Sequence, residues 1–177
     1  MRYSSIAVGF VLLIGCGKSD STPAPGSESA PEAAAPASVA PSSVDVCSLV
    51  TEAEAESALG KSVAVPQKQP SGDCWYLKEG GSGFGDVEFI LAILPVRMES
   101  AGAFDTFIKD QVDDLNASMK KSGLPVSYTV KPAPEVGSPA YFMELGLYAL
   151  KGDRILMVGL DGPKAVAIAK TALARMP

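Results

Sequence analysis

The sequence LYALKGDRILMVGL, from Leu147 to Leu160, holds two apolar runs separated by the polar triplet Lys151-Gly152-Asp153. A short turn that contains glycine, between two runs of strand-forming residues, is typical of a β-hairpin. The pattern predicts strands over Tyr141–Leu150 and Arg154–Leu160. Strands joined by so short a turn are antiparallel, which argues against a sheet built from parallel βαβ units.

Further strands and helices are predicted upstream of this hairpin. The stretch Asp86–Val96 (DVEFILAILPV) is the most apolar predicted strand, with Pro95 expected to mark its end. Ala101–Lys121 carries apolar residues at helical spacing and ends in two lysines, which suit the negative end of a helix dipole. Thr51-Glu52-Ala53-Glu54 has the pattern of a capping box, which predicts a helix to Leu59. The other predicted elements are strands over Lys61–Val65, Gly72–Lys78 and Ser127–Lys131, and a last helix capped by Asp161.

The predicted order of elements is α-β-β-β-α-β-β-β-α. Strands that occur in groups, rather than in alternation with helices, favour antiparallel pairing. The sequence therefore predicts an α+β fold, a mostly antiparallel sheet with helices packed on it. This fold would form one domain over residues 45–177, which is close to the commonest domain size.

The segment before this domain has a composition that does not favour folding. Residues 17–43 read GKSDSTPAPGSESAPEAAAPASVAPSS, with no aromatic residue and with alanine as the main apolar type. Such a stretch buries too little apolar surface to offset the entropy lost on ordering, and its prolines interrupt any alanine-rich helix. We expect residues 16–44 to form a disordered tether.

The first residues have the pattern of an export signal. Arg2 precedes the apolar run Ile6–Ile14, which is shorter than the roughly 20 residues needed to cross a bilayer as a helix. The run ends in Leu13-Ile14-Gly15-Cys16, which resembles the lipobox of bacterial lipoproteins. The resemblance implies that residues 1–15 are a signal peptide and that Cys16 becomes a lipidated first residue. It also implies a membrane anchor, in the outer membrane if the host has one, because glycine rather than aspartate follows the cysteine.

The two other cysteines are predicted to pair. If Cys16 carries lipid, Cys47 and Cys74 remain as an even pair in an oxidising compartment, where disulfides form and persist. A metal pair and a redox dithiol are the alternatives. Both are less favoured, because the chain has no CxxC spacing at these cysteines and no histidine to complete a zinc site.

Four stretches of the domain resemble a family of small bacterial envelope lipoproteins of unknown function. Members share a Cys-Ser-Leu-Leu-Thr opening, a second cysteine before an aromatic residue, and a late strand pair around Lys-Gly-Asp-Arg. The resemblance implies a Mog1/PsbP-like sandwich fold and the same Cys47–Cys74 bridge, but it implies no activity. The stretches are CSLVTEAEAESALG (Cys47–Gly60), GDCWY (Gly72–Tyr76), VGSPAYF (Val136–Phe142) and LYALKGDRILMVGL.

The composition excludes several classes of function. The chain has no histidine, which removes Ser-His-Asp and Cys-His catalysis, and its net charge of −5 disfavours nucleic acid as a partner. The acidic residues of the predicted Ala101–Lys121 helix are interpreted as a solvated face rather than a carboxylate pair or a Ca²⁺ loop. We therefore expect no catalytic residues, no metal site and no cofactor. These acidic residues are Asp105, Asp110, Asp113 and Asp114.

The glycine-rich run Gly80–Gly85 contains one apolar side chain, Phe84. A phosphate-binding glycine loop leads from a strand into a helix, whereas here a strand is predicted to follow, so we interpret the run as a flexible hairpin loop. An aromatic residue in such a loop favours contact with a partner or lipid over a place in the core.

We expect a membrane-anchored, non-enzymatic binding or scaffolding module whose partner is an unknown envelope protein or small ligand. A small-molecule carrier or sensor is the alternative, and a carboxylate-dependent hydrolase is third.

Overall fold

A computed structural model of the protein describes residues 44–177, and the predicted signal peptide, Cys16 and most of the predicted tether lie outside the described residues. The helices are α1 (Glu52–Leu59), α2 (Ala101–Lys121) and α3 (Gly162–Arg175). The strands are β1 (Gln67–Lys68), β2 (Cys74–Leu77), β3 (Val87–Arg97), β4 (Lys131–Pro132), β5 (Ala140–Met143), β6 (Gly146–Lys151) and β7 (Arg154–Val158). Short 3-10 turns lie at Val46–Ser48, Phe84–Asp86 and Pro134–Val136.

The strands form one seven-stranded antiparallel sheet with the order β1-β2-β3-β7-β6-β5-β4. The hairpin of β6 and β7 is present, with Lys151 opposite Arg154. At the centre, β3 pairs with β7, which places Leu91 opposite Val158. Helices α1 and α3 cover one face of the sheet and α2 covers the other. The fold class is therefore α+β, as predicted, with one strand more than expected.

Each face of the sheet has its own apolar core. On the first face, α3 presents Ala165, Ala169 and Ala172, which are fully buried. Their small side chains allow the helix to approach the sheet closely. On the second face, Phe104 and Ile108 of α2 pack with a cluster of sheet residues. That cluster includes Tyr148, Leu150 and Ile155.

Local signals in the sequence set the helix ends. The capping box is present, because the Thr51 hydroxyl accepts from the Glu54 N–H while the Glu54 carboxylate accepts from the Thr51 N–H. Gly60 ends α1 in the left-handed conformation, with φ of 72°. Asp161 caps α3, which has a proline in its first turn, and α2 has the predicted bounds.

The strand predicted over Lys61–Val65 is wrong. Its only pairing is a single bridge between Val63 and Lys78, and the edge strand forms later, at β1. Pro66 explains the interruption, because proline has no N–H to donate to a ladder. Val65 is left 70% exposed.

Two other strand boundaries were also wrong. Of the strand predicted over Ser127–Lys131, only Lys131 lies in a strand, at the start of β4. The Tyr128 N–H donates to the side-chain amide oxygen of Asn116 on α2, and its C=O accepts from the amide nitrogen, so neither group bonds a neighbouring strand. The single strand predicted over Tyr141–Leu150 is two strands, β5 and β6, which pair with each other through a tight turn.

The turn between β5 and β6 depends on Gly146. Its φ is 130°, which a residue with a side chain rarely adopts. An added Cβ would lie 2.8 Å from the Leu160 nitrogen and closer still to the Val158 carbonyl oxygen.

The prediction that Pro95 marks the end of β3 is also wrong. The strand resumes pairing at Arg97 after an irregularity that begins beyond Ile93.

Candidate functional site

The loop between β2 and β3 presents Phe84 to solvent, with 74% of the residue exposed. Phe84 begins a 3-10 turn that ends at Asp86, immediately before β3. Large apolar side chains are normally withdrawn from water, so an exposed phenylalanine in an ordered turn is a candidate contact residue. The position agrees with the interpretation of Phe84 as a residue outside the core.

Hydrogen bonds and an ion pair of Asp86 tie this loop together. Its carboxylate accepts from the Ser82 N–H at 3.1 Å and forms an ion pair with the Lys78 ammonium at 2.5 Å. Its backbone carbonyl accepts from the Lys78 N–H, and its N–H donates to the Gly83 carbonyl, both at 2.9 Å. The glycine-rich loop therefore has hydrogen bonds of its own, and its flexibility stays a prediction from the sequence.

The charge pair at the base of the loop is mutually stabilised. The hydrogen bond from Lys78, joined by the Ser82 N–H, holds the pKa of Asp86 below its ordinary value. The same bond raises the pKa of Lys78. Both groups therefore remain charged over the whole neutral range.

Two glycines are required by the geometry of the loop. Gly80 has a φ of 73°, in the left-handed region. An added Cβ on Gly81 would lie 2.6 Å from the Asp86 Cβ and 2.9 Å from the Lys78 carbonyl oxygen. These glycines let the chain fold tightly around Asp86.

Phe84 rests on Trp75, and we refer to these two side chains as the aromatic pair. Their ring centroids are 5.7 Å apart with an interplanar angle of 68°, an edge-to-face arrangement. Trp75 lies on β2 opposite Ile90 of β3, and its side chain is partly buried. Its Nε1 is buried and has no hydrogen-bond partner among the described residues. Within residues 44–177, Phe84 is the only aromatic residue that is exposed.

Cys47 and Cys74 are joined by a disulfide, with Cα atoms 5.1 Å apart. The bond fastens the first 3-10 turn to the start of β2. Nearby, the Tyr76 hydroxyl donates to the Val50 carbonyl at 2.5 Å, and its ring stacks on Phe89 at 4.1 Å. Burial raises the pKa of Tyr76, so this hydroxyl stays protonated. This part of the molecule is buried, since Cys74 and Tyr76 have no exposed surface.

A second candidate is an open groove of about 350 Å³ beside α2, which we call the α2 groove. Its floor is apolar, and two of the four acidic residues of α2 lie at its rim, Asp105 and Asp113. Asp105 accepts a 2.8 Å hydrogen bond from the Tyr141 hydroxyl, which raises the pKa of Tyr141. Asp110 and Asp114 are exposed, as a solvated helix face requires. The floor is formed by Ile108, Val112, Val130, Pro132 and Tyr141.

The carboxylates with displaced pKa values do not resemble a general acid. Glu54, Asp86 and Asp153 each have a lowered pKa, chiefly because each accepts a hydrogen bond from a cationic side chain. A carboxylic acid that protonates a leaving group needs a raised pKa instead. Within residues 44–177, no three side chains of the metal-binding types cluster as a metal site would require.

None of the helices in the part of the chain that the structure describes is long and apolar enough to span a membrane. Comparisons with protein-family models, curated proteins and solved structures find no match to this chain. The class that the structure itself defines is an α+β domain with a seven-stranded antiparallel sheet and a disulfide. The likeness to small envelope lipoproteins and to the Mog1/PsbP-like fold remains a prediction from the sequence.

Proposed function

We propose that the protein is an exported, lipid-anchored binding module without catalytic activity, which docks a protein of the bacterial envelope through the aromatic pair. The observation that carries this proposal is the 74% exposure of Phe84 on a loop held by hydrogen bonds. An exposed aromatic ring favours association, because burying it in a complex removes apolar surface from water. Aromatic residues are also enriched among the side chains that dominate binding energies at interfaces.

The order of the loop supports a docking role over chance exposure. A loop that adopts one conformation before binding loses less entropy when the complex forms. Here the hydrogen bonds and the ion pair of Asp86 hold the loop, in a conformation that Gly80 and Gly81 permit. The partner would therefore meet a preformed surface.

The charges around the aromatic pair favour a protein over a membrane surface as the occupant. Three acidic residues lie close along the chain, Glu79, Asp86 and Glu88, and in the part of the chain that the structure describes only two lysines pair with them, Lys61 and Lys78. Anionic lipids attract basic segments and repel acidic ones. A protein partner with an apolar pocket and a basic rim fits these charges.

The anchor proposed for this module is the lipid at Cys16, and the predicted tether over residues 16–44 would join it to the domain. One acyl chain holds a protein only marginally at a membrane, whereas two or more hold it firmly. The Cys47–Cys74 disulfide is consistent with an oxidising compartment outside the cytoplasm. The sheet with helices on both faces is compatible with the proposed Mog1/PsbP-like sandwich. If the host has an outer membrane, that membrane is the proposed location.

A small-molecule carrier is the second candidate function. The α2 groove is within the size range of small-ligand sites and has an apolar floor with polar groups at its rim. A carboxylate-dependent hydrolase is supported less well. The displaced pKa values of Glu54, Asp86 and Asp153 are all lowered, in the direction opposite to that of a general acid.

The proposal is tested by photocrosslinking in native membranes. The full-length protein carries p-benzoylphenylalanine in place of Phe84, and a matched variant carries it in place of Leu145. Leu145 is 70% exposed, nearly as much as Phe84, but lies in the turn between β5 and β6. We expect a discrete protein adduct from position 84 and none from position 145. The adduct should disappear in a Cys16→Ser background, which removes the proposed lipidation site.

Three results would contradict the proposal. Adducts of the same size from positions 84 and 145 would show that Phe84 is not a special contact. Adducts with lipid alone would make the aromatic pair a membrane contact. If irradiation gives no adduct, the search moves to ligands of the α2 groove, and the docking function is lost.

A further inference from the structure

A second pocket, of about 290 Å³, lies at the Arg97 end of β3, and we call it the Arg154 pocket. Arg154 is the first residue of β7 and lies directly opposite Arg97 in the sheet. The turn Ser71-Gly72-Asp73 and the chain at Val44 form other parts of the wall. This pocket has no part in the proposed function, which rests on the aromatic pair.

The guanidinium of Arg154 has a buried nitrogen that the described residues leave without an acceptor. Its Nη1 is buried and has no hydrogen-bond partner within residues 44–177. Arginine stays charged in proteins, so this nitrogen cannot escape the penalty of burial by losing a proton. A buried charged donor without an acceptor is strongly unfavourable, and an acceptor in the pocket would remove that penalty once a rotation of the guanidinium turned Nη1 towards it.

Other cations of the Arg154 pocket are engaged only by exposed carboxylates. Arg97 pairs with Asp153, and about half of each side chain is exposed. Lys68 lies 3.3 Å from Asp45, and both side chains are more than half exposed. Exposed ion pairs contribute little free energy, so either cation can exchange its partner for a bound anion. One acidic residue, Asp73, also lines the pocket and opposes an anion there.

We propose that the Arg154 pocket binds an oxyanion, either a phosphate or a carboxylate group, with Arg154 as its main ligand. The planar guanidinium presents parallel N–H donors whose spacing matches two oxygens of such a group. Arg97, across the sheet, supplies the second positive charge. The free anion and the phosphate of a phospholipid share this chemistry, and the test below separates these two sources.

The test measures thermal unfolding of the full-length protein with sodium phosphate against sodium chloride at equal ionic strength. Phosphate also stabilises folded proteins without binding, so the response is compared between variants. We expect a rise in Tm beyond that of sodium chloride, which grows with the logarithm of the phosphate concentration above Kd and reaches roughly 4 °C at ten times Kd in the wild type. This logarithmic part should vanish in Arg154→Gln and persist in Lys121→Gln, which changes an exposed lysine at the end of α2. An equal response of Arg154→Gln and the wild type would overturn the proposal.

A second variant keeps the test decisive if Arg154→Gln does not fold. Arg154→Lys retains the charge but loses the forked donors, and we expect it to weaken phosphate binding about tenfold. Unchanged affinity would contradict the assignment of Arg154 as the ligand. Transfer from a phosphate-free detergent into phosphatidylcholine vesicles, with and without phosphatidylglycerol, identifies the source. With no added phosphate, a rise in Tm in either kind of vesicle that Arg154→Gln lacks indicates a lipid phosphate, and a rise only with added phosphate indicates a free anion.

Discussion

Glu54 and Arg175 form a bidentate pair, in which the guanidinium Nη1 and Nη2 each donate to one of the two carboxylate oxygens at 2.6 Å. Glu54 belongs to the capping box that starts α1, and Arg175 is the last residue of α3. The same Arg175 Nη1 also donates to the Leu49 carbonyl at 3.0 Å. One side chain therefore links the beginning of the first helix to the end of the last.

This pair makes stability depend on pH in the acid range. The hydrogen bonds from Arg175, with those from Thr51, lower the pKa of Glu54 from 4.5 to about 2. The folded state thus holds the carboxylate charged where the unfolded chain begins to protonate it. The stabilisation is complete above pH 4.5 and is lost as the pH falls through about 2. Because about a third of the Glu54 side chain is exposed, we expect it to be about 1 kcal/mol.

Glu54→Gln tests this expectation by urea unfolding at pH 7 and near pH 2. The variant should be less stable than the wild type by about 1 kcal/mol at pH 7, and the difference should shrink towards zero near pH 2. Glu52→Gln, in the same first turn of α1, serves as the control for loss of charge at a helix N-terminus. A difference that stayed constant with pH would mean that Glu54 acts through packing rather than charge.

The Glu54–Arg175 pair also shows how much of the structure can be predicted from the sequence. The capping box was predicted because Thr51 and Glu54 are three residues apart, and the bounds of α2 were predicted from apolar spacing within one segment. Arg175 could not be assigned to Glu54, because that pairing depends on how α1 and α3 pack. The prolines and glycines that altered the strands can be seen in the sequence. Their effect on a strand, however, depends on which other strand pairs with it. Gly146, for example, has no room for a side chain because the chain at the end of β7 passes close to it.

The candidate sites likewise have features that the sequence predicts and features that depend on how the strands pair. The exposure of Phe84 was predicted from its glycine-rich surroundings, since the signal lies within a few residues. Trp75 could not be placed beneath it, because that contact depends on the pairing of β2 and β3. The Arg154 pocket was missed altogether. Arg97 and Arg154 are adjacent only through the pairing of β3 with β7, and the sequence alone carries no signal of that register.

The disulfide should contribute a large part of the stability of the domain. Cys47 and Cys74 are separated by 27 residues, and closing a loop of that length in the unfolded chain gives about 3.6 kcal/mol. We expect Cys47→Ala combined with Cys74→Ala to lower the free energy of unfolding by about 3 kcal/mol in urea titrations. The wild type with reductant should match the double variant. If the double variant were as stable as the oxidised wild type, the bridge would have no role in stability.

Gly146 should be far less tolerant of a side chain than Gly152, although both have positive φ. An alanine at either position incurs the strain of the left-handed region, about 1 kcal/mol. At Gly152 an added Cβ meets nothing within 4 Å, whereas at Gly146 it would collide with the backbone of Val158 and Leu160. We expect Gly146→Ala to lower the free energy of unfolding by about 3 kcal/mol and Gly152→Ala by about 1 kcal/mol in urea titrations. Equal losses would mean that the collision is relieved by a small backbone shift.

Trp75 is the single tryptophan of the chain, so its fluorescence reports directly on the aromatic pair. Phe84→Ala removes the ring that packs against the indole at 5.7 Å. We expect a red shift in the emission and stronger quenching by acrylamide, because water and quencher gain access to the Trp75 ring. The free energy of unfolding should fall by no more than about 1 kcal/mol, since Phe84 is 74% exposed.

The control for this measurement is Leu145→Ala, which removes a similarly exposed side chain in the turn between β5 and β6. It should leave the emission maximum and the quenching unchanged. Gly81→Ala should shift the emission as Phe84→Ala does, because its Cβ would displace Asp86 and with it the turn that carries Phe84. If Phe84→Ala left the spectrum of Trp75 as it is in the wild type, the two rings would not be in contact in solution. The preformed surface proposed for docking would then be lost with that contact.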